Sequence, residues 1–271
     1  MAERKRRELD LAQLLPNMMT VGALCSGLTG IRFAIAGNFQ AAVMLILLAA
    51  LLDGLDGRLA RLLKSVSEIG AELDSLGDFV NFGVAPALVI YLWDLQTLGT
   101  EGWAAAVFYA VCCLLRLARF NITNRSDAEK PKGAPFTGVP SPGGAMLALL
   151  PLYVAFTWPE ARLPSPILAL YIMAVGGLMI SRLPTPSFKS VTFYADHVRY
   201  VVLALVLVVA ALASHPWATL MAIDAAYAAA ILWFLLTWRR RRARPILAAN
   251  PGPQPSAPED RPRDRPQDLP E

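Results

Sequence analysis

Charged residues are scarce in this sequence, and so are the residues that build covalent or zinc-bound frameworks. Only 17% of the 271 residues are charged, whereas 55% are hydrophobic. The three cysteines (Cys25, Cys112 and Cys113) are odd in number, lie in apolar runs and lack zinc-ligand spacing, so neither a disulfide framework nor a zinc site is expected. From Leu11 onwards there is no short apolar core followed by a small-residue cleavage site, so we expect no cleaved signal peptide.

Long apolar runs, by contrast, are abundant, and they predict an all-α polytopic membrane protein. About eight transmembrane helices are expected from their length and spacing. Their positions are near residues 15–36, 41–63, 71–93, 102–120, 143–158, 164–181, 198–214 and 217–238. The fifth contains Pro151, which predicts a kink because proline cannot donate a helix hydrogen bond.

Lys and Arg are distributed unevenly between the connecting segments. If the N-terminus is cytoplasmic, the outer loops carry little positive charge beyond Arg162. The inner segments then contain Arg4, Lys5, Arg6, Arg7, Lys64, Arg125, Lys130, Lys132, Lys189, Arg239, Arg240, Arg241 and Arg242. The excess of basic residues on the inner side predicts that both termini are cytoplasmic, which agrees with an even number of spans.

The C-terminal tail differs in composition from the rest of the chain. Residues 243–271 are rich in proline and mixed charge and poor in apolar residues, which predicts disorder. The basic run at 238–242 that precedes the tail is typical of an anchor at an anionic lipid surface. We therefore expect the lipid bilayer as a partner and expect no nucleic-acid partner.

Four aspartates lie within one run that otherwise resembles membrane helix. Residues 53–78 read DGLDGRLARLLKSVSEIGAELDSLGD and fit the pattern D-x-x-D-G-x-x-A-R-x8-G-x3-D-x3-D at every fixed position. Spacings of three and four residues place both members of each pair on one helix face. Two such helices can form an all-oxygen cage, which suits Mg²⁺ or Mn²⁺ better than zinc. A structural alternative is a set of buried Asp–Arg clusters that use Arg58 and Arg61.

The pattern resembles the signature of the CDP-alcohol phosphatidyltransferases, membrane enzymes that transfer a phosphatidyl group from a CDP-linked lipid to an alcohol. The resemblance implies a divalent metal, Mg²⁺ or Mn²⁺, bound by Asp53, Asp56, Asp74 and Asp78. It also implies that Asp78 is catalytic and deprotonates the acceptor hydroxyl. Contacts with CDP-diacylglycerol are implied for Asn17, Thr20, Gly57, Arg61 and Ser67. A homodimer is expected as well.

Four further segments resemble the phosphatidylserine synthase branch of that family. They are GAELDSLGDFVNFGVAPA, RLARFN, FTGVPSP and SRLPTPSFK, in that order along the chain. L-Serine carries a carboxylate and an ammonium group, so its pocket should offer basic and small polar side chains. The candidates are Arg119, Asn121, Lys132, Ser141, Arg182 and Lys189. Glycerol phosphate or another alcohol would also need basic residues, and a cation transporter that uses the aspartates is an alternative of a different class.

These expectations divide the chain into four parts. Residues 1–14 form a basic cytoplasmic segment, and 15–190 form the catalytic domain with six spans. Residues 191–242 add two spans, and 243–271 form the disordered tail. The whole is expected to be an integral protein of a bacterial inner (cell) membrane, with its active site facing the cytoplasm and with CDP-diacylglycerol and L-serine as substrates.

Overall fold

The computed structural model describes residues 11–63, 65, 67–125, 136–181, 184–185 and 198–242. The α-helices in this part of the chain are α1 Leu11–Ile35, α2 Phe39–Leu62, α3 Glu68–Asp78, α4 Ala85–Trp93, α5 Thr100–Arg125, α6 Ser141–Thr157, α7 Ser165–Ile180, α8 Val198–Ser214 and α9 Pro216–Arg242. A π-helical turn, Phe79–Val84, joins α3 to α4, and short 3₁₀ turns occupy Leu95–Leu98 and Pro159–Ala161. Two strands, β1 Phe136–Thr137 and β2 Pro184–Thr185, form one antiparallel pair. The chain divides into a unit of residues 1–235, which contains the aspartate run, and a small unit of residues 236–271.

Helix length and composition support the predicted membrane protein. Five helical stretches are long and apolar enough to cross a bilayer: Leu14–Ile35, Phe39–Leu62, Glu68–Trp93, Thr100–Ile122 and Pro216–Phe234. Three shorter apolar helices also occur, namely Ser141–Thr157, Ser165–Ile180 and Val202–Ser214. The predicted helical class is therefore confirmed, and the described residues contain five candidate membrane spans. The number of eight transmembrane helices and the orientation of the termini stay predictions.

The packing of the first three helices brings the two ends of the aspartate run close together. α1 packs along α2, and α3 returns against α1 after a short turn. Ser67 begins α3, because its side-chain oxygen accepts a 3.0 Å hydrogen bond from the Gly70 backbone N–H and so caps the first turn. Asn38 caps α2 in the same way, by accepting from Ala41 N–H at 3.1 Å. The two halves of the aspartate pattern therefore lie on adjacent helices, α2 and α3.

At two prolines inside the helices, a tyrosine hydroxyl donates the hydrogen bond that the proline cannot. Pro86 has no N–H to donate to the carbonyl of Phe82, four residues earlier, and the Tyr109 hydroxyl donates to that carbonyl at 2.9 Å. Pro151 has the same relation to Leu147, whose carbonyl accepts a 2.6 Å hydrogen bond from the Tyr171 hydroxyl. Proline is thus accommodated without leaving a buried carbonyl unpaired.

The strand pair joins two of the segments on which the sequence resemblance depends. Phe136 pairs with Thr185, and Thr137 pairs with Pro184. Gly138 follows with φ of 87°, and a Cβ atom there would lie 2.5 Å from the Met179 carbonyl oxygen. Only glycine fits both the left-handed backbone and this close approach. The N-terminus of α6 is thereby held against the C-terminal end of α7.

Candidate functional site

Three carboxylates from two helices converge on one point. Asp53 and Asp56 come from α2, and Asp74 comes from α3. One ligand oxygen from each lies within 4.8 Å of the others. Like charges this close repel one another unless a cation or protons compensate them. The geometry agrees with the all-oxygen cage that the spacing predicted.

Asp78 lies beside this cluster, one helical turn after Asp74. Its carboxyl group contacts that of Asp53 and lies within electrostatic range of Arg116 on α5. One of its oxygens, Oδ1, is buried and accepts no hydrogen bond from the described part of the protein. Asp78 therefore lies close to the other aspartates and also to one cationic side chain, that of Arg116.

Asp56 is the most enclosed of the four carboxylates. It is 2% exposed, and its Oδ2 accepts a 2.7 Å hydrogen bond from the Thr20 hydroxyl. Its Oδ1 is buried and pairs with no described donor. Carboxylate oxygens that are buried, close together and unpaired are the donor set that a hard divalent cation requires. These residues fit a bound Mg²⁺ or Mn²⁺ ion.

The alternative of structural Asp–Arg clusters receives no support from these helices. Arg58 and Arg61 are both exposed, and Arg61 Nε donates to the backbone carbonyl of Gly57 at 2.9 Å. Within the described residues, neither arginine forms an ion pair with any of the four aspartates. Their side chains remain at the surface of α2, where a phosphate group could reach them.

The residues predicted to contact the nucleotide lie at the ends of α1, α2 and α3. A Cβ atom on Gly70 would lie 2.8 Å from Asn17 Oδ1 and 3.0 Å from Ser67 Oγ, so these three residues meet at the start of α3. A Cβ atom on Gly57 would have no atom within 4 Å. The structure therefore leaves open space beside Gly57. The Thr20 hydroxyl, by contrast, donates a hydrogen bond to Asp56.

The predicted serine-binding residues are not all brought together. Asn121 Nδ2 donates to Ser75 Oγ at 2.9 Å, next to Asp74, and Ser141 is fully buried at the start of α6. Arg119 is exposed, and its Nη1 donates to the carbonyl of Ile180 at the end of α7. Lys132, Arg182 and Lys189 lie outside the described residues.

Arg116 lies near the carboxylate cluster but is not among the site residues predicted from the sequence. It is half-buried, and its Nη1 donates to Ser141 Oγ at 2.9 Å. It also lies over the Phe120 ring, 5.3 Å from the centroid, and near Asp78. Both arginines of the RLAR segment were visible in sequence. Arg116 lies deeper in the apolar run than Arg119. Because an arginine costs more free energy the deeper it lies in a membrane, its position in the run is the sequence feature that favours Arg116 as a functional residue.

The sequence of this chain is similar to those of known proteins. The family described as CDP-alcohol phosphatidyltransferase matches residues 13–181. A protein of Mycobacterium leprae is 40% identical over 235 residues, covering 83% of this chain and 75% of that protein. A protein of Bacillus subtilis is 37% identical over 176 residues, which cover 65% of this chain and 91% of that protein. A protein of Saccharomyces cerevisiae is 38% identical over 149 residues, which cover 53% of this chain and 53% of that protein. All three carry the name CDP-diacylglycerol–serine O-phosphatidyltransferase.

Proposed function

This chain belongs to the CDP-alcohol phosphatidyltransferase family, and from that premise we propose that it transfers a phosphatidyl group from CDP-diacylglycerol to L-serine, releasing CMP. The observation that carries the proposal is the convergence of the carboxylates of Asp53, Asp56 and Asp74, from the aspartate run that lies within the family match. The shared name of the bacterial and yeast relatives supports serine as the acceptor.

The four aspartates are the residues that would hold a divalent cation, Mg²⁺ or Mn²⁺. Bound there, such a cation would neutralise charge on the pyrophosphate oxygens of the CDP-lipid. Thr20 is proposed to fix the orientation of Asp56, because its hydroxyl donates to Oδ2 and leaves Oδ1 without a described donor.

The nucleotide end of the substrate is proposed to lie over the exposed surface of α2 and the start of α3. Gly57 leaves room for close approach, and the Arg61 guanidinium offers a charge-assisted hydrogen bond to a phosphate oxygen. Asn17 and Ser67 both lie beside Gly70, at the start of α3. The same residues were expected to contact the CDP portion from the sequence resemblance.

The acceptor hydroxyl is proposed to meet Asp78. As the serine oxygen bonds to the phosphatidyl phosphorus, the bond to the CMP oxygen breaks and the hydroxyl proton passes to the Asp78 carboxylate. Arg116 lies near Asp78 and donates to Ser141, which supports a role in holding the serine carboxylate while the hydroxyl faces the base. Asn121 borders the same region, and Lys132, Arg182 and Lys189 stay proposed serine-binding residues.

The membrane setting belongs to the same proposal. Residues 15–190 form the catalytic domain, 191–242 add two helices, and the basic segment 1–14 and the tail 243–271 flank them. The chain crosses a bacterial inner membrane eight times, with both termini and the active site on the cytoplasmic side, and acts as a homodimer. The uneven distribution of Lys and Arg supports this orientation.

A headgroup panel tests the proposal directly. Purified full-length protein is given CDP-diacylglycerol, Mg²⁺ or Mn²⁺, and one acceptor at a time: L-serine, glycerol 3-phosphate, inositol phosphate or ethanolamine. We expect CMP release and phosphatidylserine formation with serine alone, and loss of both when a chelator removes the metal. Faster turnover with another alcohol would reassign the acceptor. No CMP with any alcohol, together with aspartate-dependent ion uptake into vesicles, would favour a transporter.

A further inference from the structure

A single carboxylate lies inside α9, outside the aspartate cluster and outside the region that matches the family. Asp224 is 1% exposed, and neither of its oxygens accepts a hydrogen bond from the described residues. Its helix is one of those long and apolar enough to cross a membrane. An ionisable side chain is costly at such a position, so it is retained mainly where it has a function.

Three tyrosines from three helices lie near this carboxylate. Tyr153 of α6, Tyr171 of α7 and Tyr227 of α9 each lie within electrostatic range of Asp224. The hydroxyls of Tyr153 and Tyr227 are buried and without described partners. The Tyr171 hydroxyl gives its proton to the Leu147 carbonyl, so its oxygen can only accept a further hydrogen bond or coordinate a cation.

The chemistry of this group is that of a receptor for positive charge. It combines one carboxylate with three phenol oxygens and aromatic rings, and Trp217 stacks on Tyr153 with ring centroids 6.4 Å apart. Oxygen ligands suit a monovalent metal ion, whereas a carboxylate beside aromatic faces suits an ammonium group. An anion would be repelled, and an apolar ligand would leave the carboxylate uncompensated.

The group also connects to the acceptor side of the active site. Tyr227 lies near Arg116, and a Cβ atom on Gly143 would lie 2.8 Å from its hydroxyl. Gly143 is in the first turn of α6, two residues after Ser141, to which Arg116 donates. A ligand that bridges these residues would have its negative end at Arg116 and its positive end toward α9.

We propose that Asp224, with Tyr153, Tyr171 and Tyr227, binds one positive charge. Two sources share this chemistry: the ammonium group of the acceptor amino acid and a monovalent metal cation such as Na⁺ or K⁺. The ammonium case rests on the proposed function, whereas the cation case does not. In the ammonium case α9 contributes to acceptor use although Asp224 lies outside the family match.

The first experiment compares Asp224→Asn with the unmodified enzyme in serine-saturation assays of CMP release. Loss of the carboxylate should raise the serine KM by about ten- to a hundredfold and leave the CDP-lipid KM nearly unchanged. Asp94→Asn is the matched control, because Asp94 also has a buried, unpaired oxygen but lies at the end of α4. This control should behave like the unmodified enzyme.

Two further arms separate the sources of charge. L-Glycerate has the hydroxyl and carboxylate of serine but no ammonium group. If the ammonium group binds, the unmodified enzyme should strongly prefer serine to glycerate and Asp224→Asn should lose that preference. If a metal cation binds, serine use should rise saturably with Na⁺ or K⁺ at constant ionic strength, and Asp224→Asn should abolish the response.

Where Asp224→Asn does not fold, Tyr227→Phe and Tyr153→Phe remove only a hydroxyl and should shift the same quantities by about two- to tenfold. An unchanged serine KM, serine preference and cation response in all folded variants would overturn the proposal. If serine proves not to be the acceptor, the ammonium case fails with the proposed function. The cation case is then decided by thermal unfolding: Na⁺ or K⁺ should stabilise the unmodified protein but not Asp224→Asn, and equal behaviour would overturn it.

Discussion

The hydroxyl of Thr20 donates a 2.7 Å hydrogen bond to Oδ2 of Asp56, joining α1 to the carboxylate cluster. Both residues are buried, with exposures of 6% and 2%. The bond occupies one carboxylate oxygen and leaves Oδ1 unpaired. α1 thus has two roles in the site, because Asn17 on the same helix approaches Gly70 at the start of α3.

Replacing Thr20 by valine keeps the shape of the side chain and removes the hydrogen bond. Loss of a partner that orients a metal ligand typically costs about ten- to a hundredfold in metal affinity or activity. We expect Thr20→Val to raise the Mg²⁺ or Mn²⁺ concentration needed for half-maximal CMP release. Thr29→Val is the control, since among the described residues the Thr29 hydroxyl bonds only to the Cys25 carbonyl of its own helix. An unchanged metal requirement in Thr20→Val would show that Asp56 needs no such support.

Asp78 is expected to act on the acceptor hydroxyl, and asparagine at this position removes the base at nearly constant size. Asp78→Asn should lower single-turnover CMP release by about a hundred- to ten-thousandfold and leave CDP-lipid binding measurable. Asp74→Asn provides the comparison, because Asp74 is proposed as a metal ligand without the base role, so a higher Mg²⁺ or Mn²⁺ concentration should restore more turnover in Asp74→Asn than in Asp78→Asn. Near-normal turnover in Asp78→Asn would move the base to another residue or to water.

Gly57 offers a test in which stability and activity should change in opposite directions. A methyl group there meets no protein atom within 4 Å, and alanine is favoured over glycine inside a helix by about 1 kcal/mol. Gly57→Ala should therefore unfold at slightly higher temperature yet show a raised CDP-lipid KM, because the methyl group enters the proposed nucleotide path.

Gly177 in α7 is the matched control for this substitution, since a methyl group there also meets nothing within 4 Å. Gly177→Ala should gain similar stability and retain normal kinetics. A normal CDP-lipid KM in Gly57→Ala would place the nucleotide elsewhere on the surface.

The sequence was most informative where spacing alone determines geometry. Intervals of three and four residues between Asp53 and Asp56, and between Asp74 and Asp78, predicted shared helix faces, and three of these carboxylates do converge. Apolar run length likewise predicted long apolar helices, and five of those in the described residues are long enough to cross a membrane. These features are local, so they can be derived without knowing how distant segments pack.

Contacts between distant segments could not be derived in this way. Nothing in the local sequence states that Tyr109 would donate to the carbonyl that Pro86 leaves unpaired, or that Arg116 rather than Arg119 would meet Ser141. The sequence does not point to Asp224, because this acidic residue in an apolar run has no second acidic residue at helical spacing. Such residues are recognised only when the helices that surround them are known.

Arg116 and Arg119 give opposite expectations for acceptor binding, and this contrast is a direct test of the serine pocket. Arg116 is half-buried, near Asp78 and bonded to Ser141, whereas Arg119 is exposed and bonded to the Ile180 carbonyl. If Arg116 holds the serine carboxylate, Arg116→Ala should raise the serine KM by about ten- to a hundredfold with little change in the CDP-lipid KM.

Arg119→Ala tests the assignment made from sequence and should leave both KM values near normal, with at most a modest loss of stability. Serine methyl ester, which lacks the free carboxylate, should be a poor acceptor for the unmodified enzyme, and Arg116→Ala should discriminate less between the ester and serine. A selective rise in the serine KM in Arg119→Ala, with normal kinetics in Arg116→Ala, would return the carboxylate contact to the end of α5. The ester comparison matters because destabilisation alone would lower turnover with both acceptors equally.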